Sequence, residues 1–151
     1  MLLLSVRPGP YLTQGQESPR PGWPGQTAGV SDDELARVRT ACLALPEVEE
    51  RLSHGSPTFF VRGKKTFVMY LDDHHGDGRL ALWVAAPEGM QASLVAGEPE
   101  YYFVPPYVGH RGWVGVRLDR ELAWDAVAGA IEEAYLLVAP PALVRALSAG
   151  A

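Results

Sequence analysis

The sequence predicts an α+β domain: a five-stranded, mainly antiparallel sheet in the order α-β3-α-β2-α, with helices packed on one face. Three observations predict it. Apolar residues recur at helical spacing after Ser31 and again from Trp124 to Val138, but at a period of two from Pro57 to Val84 and from Tyr101 to Leu118. Glycine and proline mark most of the changes of period. No internal repeat is present, and no β-α-β unit is long enough to wind a parallel sheet. Helices on one side leave the second face of such a sheet at least partly open.

The totals restrict the function classes. A chain of 151 residues is one domain by size and can bury a proper core. A net charge of -5 argues against a broad, charge-driven nucleic-acid binder. The single cysteine rules out an internal disulfide and fits a reducing cytoplasm. No run approaches the roughly 18 apolar residues of a membrane span. Met1 to Leu4 is followed by Ser5 and Arg7, too short an apolar run for a signal peptide. A cytoplasmic chain without membrane contact is expected, as a monomer or weak homodimer.

Residues 1–30 are rich in Pro, Gly, Gln and Ser without period and predict a disordered tail, with Trp23 the one residue there able to dock. The domain proper spans residues 31–151. Ser31 and Glu34 form an S-x-x-E capping box with Val30 and Leu35 as its staple. Leu35, Val38 and Cys42 then share a helix face, so Cys42 reads as a buried packing residue and not a nucleophile. Pro46 ends this helix, and residues 47–52 read as a short second turn of helix. Strands follow at 58–62 and 66–71, joined through Gly63 and Lys64 as a type II′ hairpin. After a polar loop at 72–78 comes a third strand, 79–84. Pro87 and Gly97 bracket a helix at 88–96. Strands at 101–104 and 113–118 flank the turn Tyr107-Val108-Gly109-His110-Arg111-Gly112. Asp119 is placed to cap a long helix whose stripe is Trp124, Val127, Ile131, Tyr135 and Val138. Pro140-Pro141 breaks it before a terminal helix from 142 to about 147.

Candidate sites are two surfaces. From Arg51 to Leu71 the chain carries Arg51, Arg62, Lys64 and Lys65 and no acid, a charge of +4; the remaining 9 basic and 18 acidic residues sum to -9. Arg62, Lys64 and Lys65 either meet phosphate or keep a turn soluble. His110 and Arg111, between glycines, either offer donors to an anion or are satisfied within the protein. On the open face Trp83, Trp113 and Arg117, with Tyr107 nearby, either stack a planar ligand or pack as core. Asp72, Asp73, His74, His75 and Asp77 match neither an EF-hand nor a zinc signature and read as a solvated hairpin tip. Glu49, Glu50 and His54 are split by the change from helix to loop and define no acid-base group. No G-x-S-x-G, P-loop or paired-cysteine motif is present. No enzyme, metal or cofactor is expected.

Leu45-Pro46-Glu47-Val48-Glu49-Glu50, Ser53-His54-Gly55-Ser56-Pro57-Thr58-Phe59 and Val61-Arg62-Gly63-Lys64 resemble the first half of the MmcQ/YjbR family. Tyr107 to Val114 and Ala134-Tyr135-Leu136-Leu137-Val138-Ala139-Pro140 resemble its second half. The resemblance covers about residues 31–147. It implies a small α+β fold of the secretion-chaperone-like type and a DNA-binding, non-enzymatic protein with a double-wing motif. Its wings would correspond to the hairpin of Arg62, Lys64 and Lys65 and to the loop of His110 and Arg111. The alternative is a binding module for a small ligand or protein on the aromatic sheet face.

Overall fold

The computed structural model describes residues 25–150. The expectations for residues 1–24, Trp23 among them, lie outside the described residues. Backbone contacts divide the chain into Met1–Leu35, whose described part is helical, and Ala36–Ala151. Helix α1 runs Gly25–Leu43, so Ser31 lies inside it and not at its cap. Residues 25–30 hold no proline, and a helix once nucleated extends through them despite Gly29.

The second unit holds β1 (Val48–Ser53), β2 (Ser56–Val61), β3 (Lys65–Asp72), β4 (Leu80–Val84), α2 (Met90–Gly97), β5 (Tyr102–Phe103), β6 (Val114–Arg117), α3 (Trp124–Val138) and α4 (Pro141–Gly150). The strands form one sheet in the order β1-β2-β3-β4-β6-β5, and every neighbouring pair is antiparallel. The α+β class stands, with six strands and not five. The extra strand is β1, where a turn of helix was expected. It pairs with β2 along its whole length, from Val48 opposite Val61 to Ser53 opposite Ser56. Its charged residues suit an exposed edge, which charge protects from further pairing. Glu50 is held from α1 by Arg39, through Nε at 2.6 Å and Nη2 at 2.7 Å.

Three local expectations also change. The β2–β3 turn is Arg62-Gly63, at φ 55° and 66°, closed by the Lys64 amide donating to the Val61 carbonyl at 3.0 Å. Positive φ at both central residues makes it type I′, whose twist matches the strands, and not type II′. Lys64 therefore follows the turn and Lys65 opens β3. Asp119 caps nothing; α3 begins at Trp124 with Ala123 at its N-cap. Helix α2 begins at Met90, beyond Glu88, and Gly97 is its last residue.

One face of the sheet packs on α3 and α2. Val84, Val114 and Val116 line a small cavity together with Met90 and Leu94 of α2 and Ala130 of α3, and Phe67 meets Tyr135 edge-on with ring centroids 5.7 Å apart. The Tyr135 hydroxyl donates to the Pro46 carbonyl at 2.8 Å, fastening α3 to the α1–β1 connection. Cys42 is buried in this core, and burial, then Glu50, pushes its thiol pKa up, away from nucleophilic use.

The other face is not open. Trp83 is 2% exposed and Trp113 4%, so the aromatic surface expected there is interior. The Arg51 guanidinium lies 4.0 Å over the Phe60 ring and that of Arg79 4.0 Å over Phe103, while His74 meets Trp83 edge-on at 4.9 Å. Arginine stems and loop rings do the covering that helices do opposite. Among the described residues, no helix is long and apolar enough to cross a membrane.

Phe103 of the edge strand lies flat on Gly115 of β6, and a Cβ at 115 would collide with its ring. Gly115→Ala is expected to destabilise by about 1–3 kcal/mol through overpacking. Gly129→Ala, in open space on α3, is expected to stabilise by about 0.5–1 kcal/mol. Urea unfolding with an unchanged slope measures both; equal effects would show that the Phe103 contact is slack.

Candidate functional site

Pro105-Pro106 leads into a loop whose tip, Gly109–Arg111, is a single 3-10 turn. The amide of Arg111 donates to the Val108 carbonyl at 3.0 Å and that of Gly112 to Gly109 at 3.0 Å. Gly112 closes the turn at φ 86°, a conformation that favours glycine. Both ends are anchored by one side chain. Gln91 of α2 donates through Nε2 to the Gly109 carbonyl at 2.8 Å and to the Trp113 carbonyl at 2.6 Å. His110 and Arg111 stand exposed at the tip, with the Arg111 guanidinium 5.4 Å from the Trp113 ring centroid.

Arg111 faces the hairpin. A cavity of about 480 Å³ is lined by Lys64, Lys65, Arg111 and Trp113, with Leu137 and Val138 from the end of α3 among its walls. No carboxylate lines it. Lys64 and Lys65 are the only two lysines of the chain. Among the described residues, neither lysine nor Arg111 has an ion-pair partner. Like charges gathered on one concave surface sum to a local positive potential that favours an anion. Arg62 borders a neighbouring cavity of about 440 Å³ beside Lys64 and Lys65, but its Nε donates to Glu47 Oε1 at 2.9 Å. His110 lines neither cavity.

The four residues grouped as a ligand face separate. Trp113 belongs with the cations. Arg117 is forked onto Asp119, Nε to Oδ1 at 2.9 Å and Nη2 to Oδ2 at 3.0 Å. Trp83 and Tyr107 line a different groove, of about 830 Å³, beside His74 and His75. His74 is thus half-buried, edge-on to Trp83, where a solvated tip was expected, while Asp72, Asp73, His75 and Asp77 are exposed. Among the described residues, no group of three or more His, Cys, Asp or Glu is placed to hold a metal ion.

A family model described as YjbR matches residues 43–137. The chain belongs to the YjbR family. The matched stretch includes both the hairpin and the Gly109–Gly112 turn of this YjbR domain. The crystal structure of Deinococcus radiodurans protein DR2400, a DUF419 domain, is similar over 72% of this chain and 80% of that one, with a TM-score of 0.60 at 19% identity. At that identity the likeness establishes the fold. None of the curated proteins matches.

Composition pointed to the lysines and glycine spacing to Arg111, but nothing local announced Gln91 or Leu137, which reach the site only through tertiary packing. Gln91→Ala strips a donor from two carbonyls and is expected to cost about 1–3 kcal/mol, and to loosen exchange protection of the 109–112 amides. Unchanged protection by hydrogen exchange would show that the turn holds itself.

The Asp119 carboxyl feels burial, which would raise its pKa, but the Arg117 bonds and the Leu80 amide outweigh it and hold the value below the ordinary 3.8. A depressed carboxyl contributes stability that is complete above 3.8 and is lost as pH falls through the folded value. Asp119→Ala is therefore expected to destabilise at neutral pH, by about 0.2–1 kcal/mol as for exposed pairs. The gap should narrow on acidification; denaturant unfolding across pH that shows a constant or widening gap contradicts the assignment.

Proposed function

We propose that this YjbR protein is a non-enzymatic DNA-binding protein that holds the duplex backbone at the cavity between the β2–β3 hairpin and the 109–112 turn. The observation that carries the proposal is the gathering of Lys64, Lys65 and Arg111 on one cavity without a carboxylate. Each of these side chains is a donor that a phosphate oxygen satisfies with a charge-assisted bond. Lys64 and Lys65 hold phosphate as point charges, and Arg111 adds a planar fork steadied by Trp113. His110 beside it supplies a further contact at the tip. Arg62, turned to Glu47, shapes the hairpin.

The net charge of -5 sets the character of this binding. DNA is repelled by most of the surface and held at one patch, so affinity is modest and falls steeply with salt. Each neutralised phosphate contributes about -0.9 to the slope of log K against log salt, which gives roughly -2 to -3 for the three cations.

Anisotropy of a labelled duplex, titrated at rising salt, tests this. Lys64→Glu with Lys65→Glu should weaken binding at least about tenfold and reduce the slope by about 2, and Arg111→Ala by about 1. Arg62→Ala should leave the slope unchanged. A response independent of salt, or charge-reversed lysines that bind as before, would overturn the proposal. Tighter capture of a free nucleoside triphosphate than of duplex would assign the cavity to small phosphorylated ligands.

A further inference from the structure

The groove of about 830 Å³ on the face away from α3 has no part in the phosphate site. Its apolar walls include Met69, Leu71 and Trp83, and its rim carries His74, His75 and Tyr107. The rings meet at steep angles: His74 and Trp83 at 80°, His74 and Tyr107 at 88°. Two nitrogens in this cluster, Trp83 Nε1 and His74 Nε2, are shut off from water and have no hydrogen-bond partner. Trp83 is only 2% exposed. Buried polar atoms in folded proteins are almost always paired, so two orphans in touching rings on one cavity wall call for an explanation.

Their chemistry specifies what is missing. The indole nitrogen only donates, so it requires an acceptor. Burial, then His75, holds the His74 imidazole below its ordinary value of 6.5. The ring is then neutral near pH 7, with one donor and one acceptor nitrogen. No lysine or arginine lines the groove, while Asp72 and Asp73 do. An anion is disfavoured there. The volume falls within the range of small-molecule sites, about 300–1,000 Å³, and walls of aromatic and apolar side chains suit a flat ring.

We propose that this groove binds a small, uncharged, planar heterocycle with an amide-type edge, its carbonyl accepting from Trp83 Nε1 and its adjacent ring nitrogen pairing with His74 Nε2. The exposed rings of His75 and Tyr107 give way to admit it. The site stands apart from the DNA reading: its lining shares no residue with the Lys64, Lys65 and Arg111 cavity.

Hypoxanthine, a neutral purine with such an edge, is the probe. In nitrogen-15-labelled protein, titration should move the indole N–H resonance of Trp83, assigned through Trp83→Phe, and leave that of Trp124 in place. Calorimetry should show binding weakened about tenfold by Trp83→Phe and by His74→Phe, each of which keeps a ring and removes the nitrogen that pairs with the ligand. Lys64→Glu with Lys65→Glu should leave it unchanged, which separates this site from the DNA cavity. Should Trp83→Phe fail to fold, the resonance shift and His74→Phe decide. No movement of the Trp83 resonance at millimolar hypoxanthine overturns the proposal. So does naphthalene binding as tightly, which makes the polar edge irrelevant, or inosine monophosphate moving the Trp83 resonance at lower concentration than hypoxanthine, which contradicts the exclusion of anions.

Discussion

Strand β4 sets the terms for the rest of the domain. All five of its residues, Leu80–Val84, are buried, so both faces of the sheet must be dry at its centre. A strand alternates its side chains, and a strand apolar throughout therefore requires two covers. On one side α2 and α3 provide the cover. Among the described residues no helix covers the other, and what remains is used: arginine stems over Phe60 and Phe103, and loop rings over Trp83. A cover assembled from loops and long side chains is less continuous than a helix. The 830 Å³ groove opens in that cover, beside the rings laid over Trp83.

Charge follows the same division of labour. Arg39, Arg51, Arg62, Arg79 and Arg117 are each matched to a carboxylate. The planar guanidinium, weakly hydrated and able to fork onto an acid or lie on a ring, suits these structural tasks. The two lysines are spent on none of them. A compact, strongly hydrated ammonium is poor at covering apolar surface and effective as a free point charge. Adjacent in sequence and unpaired, Lys64 and Lys65 concentrate positive charge at one place on an otherwise acidic molecule. Counting totals hides this, because a net charge of -5 says nothing of where the individual charges lie.

Much of the sheet was legible in the sequence. Strands β2, β3 and β4 announce themselves by β-branched and aromatic residues at period two, and the Gly-His-Arg-Gly spacing gives an exposed tip. Strand β1 was not legible, because Val48-Glu49-Glu50-Arg51-Leu52-Ser53 has helix-forming composition and only one strand neighbour. Pairing with β2 overrides that local preference. Asp119 follows the pattern of an N-cap, yet its carboxylate is drawn to Arg117 and the Leu80 amide, contacts that no local rule foresees. Trp83 and Trp113 were placed on their strands, but their burial depends on loops distant in sequence. The approach of Arg111 to Lys64 depends on a strand order, β4 beside β6, that pairs residues as far apart as Ala81 and Arg117.

Backbone conformation shows how one loop serves both cavities. Among the described residues, seven other than glycine hold positive φ. Those at His54 and Arg62 precede glycines in tight hairpin turns that demand it, and Asp73 is steadied by the Gly78 amide on its Oδ1 at 2.8 Å. Tyr107 has no such excuse. At φ 67° it is the centre of a γ-turn closed by the Val108 amide on the Pro106 carbonyl at 2.7 Å, a rare and strained form for a bulky residue. Such strain persists only where the surroundings over-determine it. Here Pro105-Pro106 stiffens one side, and the Gln91 bond at Gly109 fixes the other. Between these restraints Tyr107 is turned toward Trp83 and His74, and four residues on, past the Gln91 anchor, Arg111 is turned toward the lysines. The anchor at Gly109 therefore separates the two: Tyr107 lines the groove on one side of it, and Arg111 lines the lysine cavity on the other.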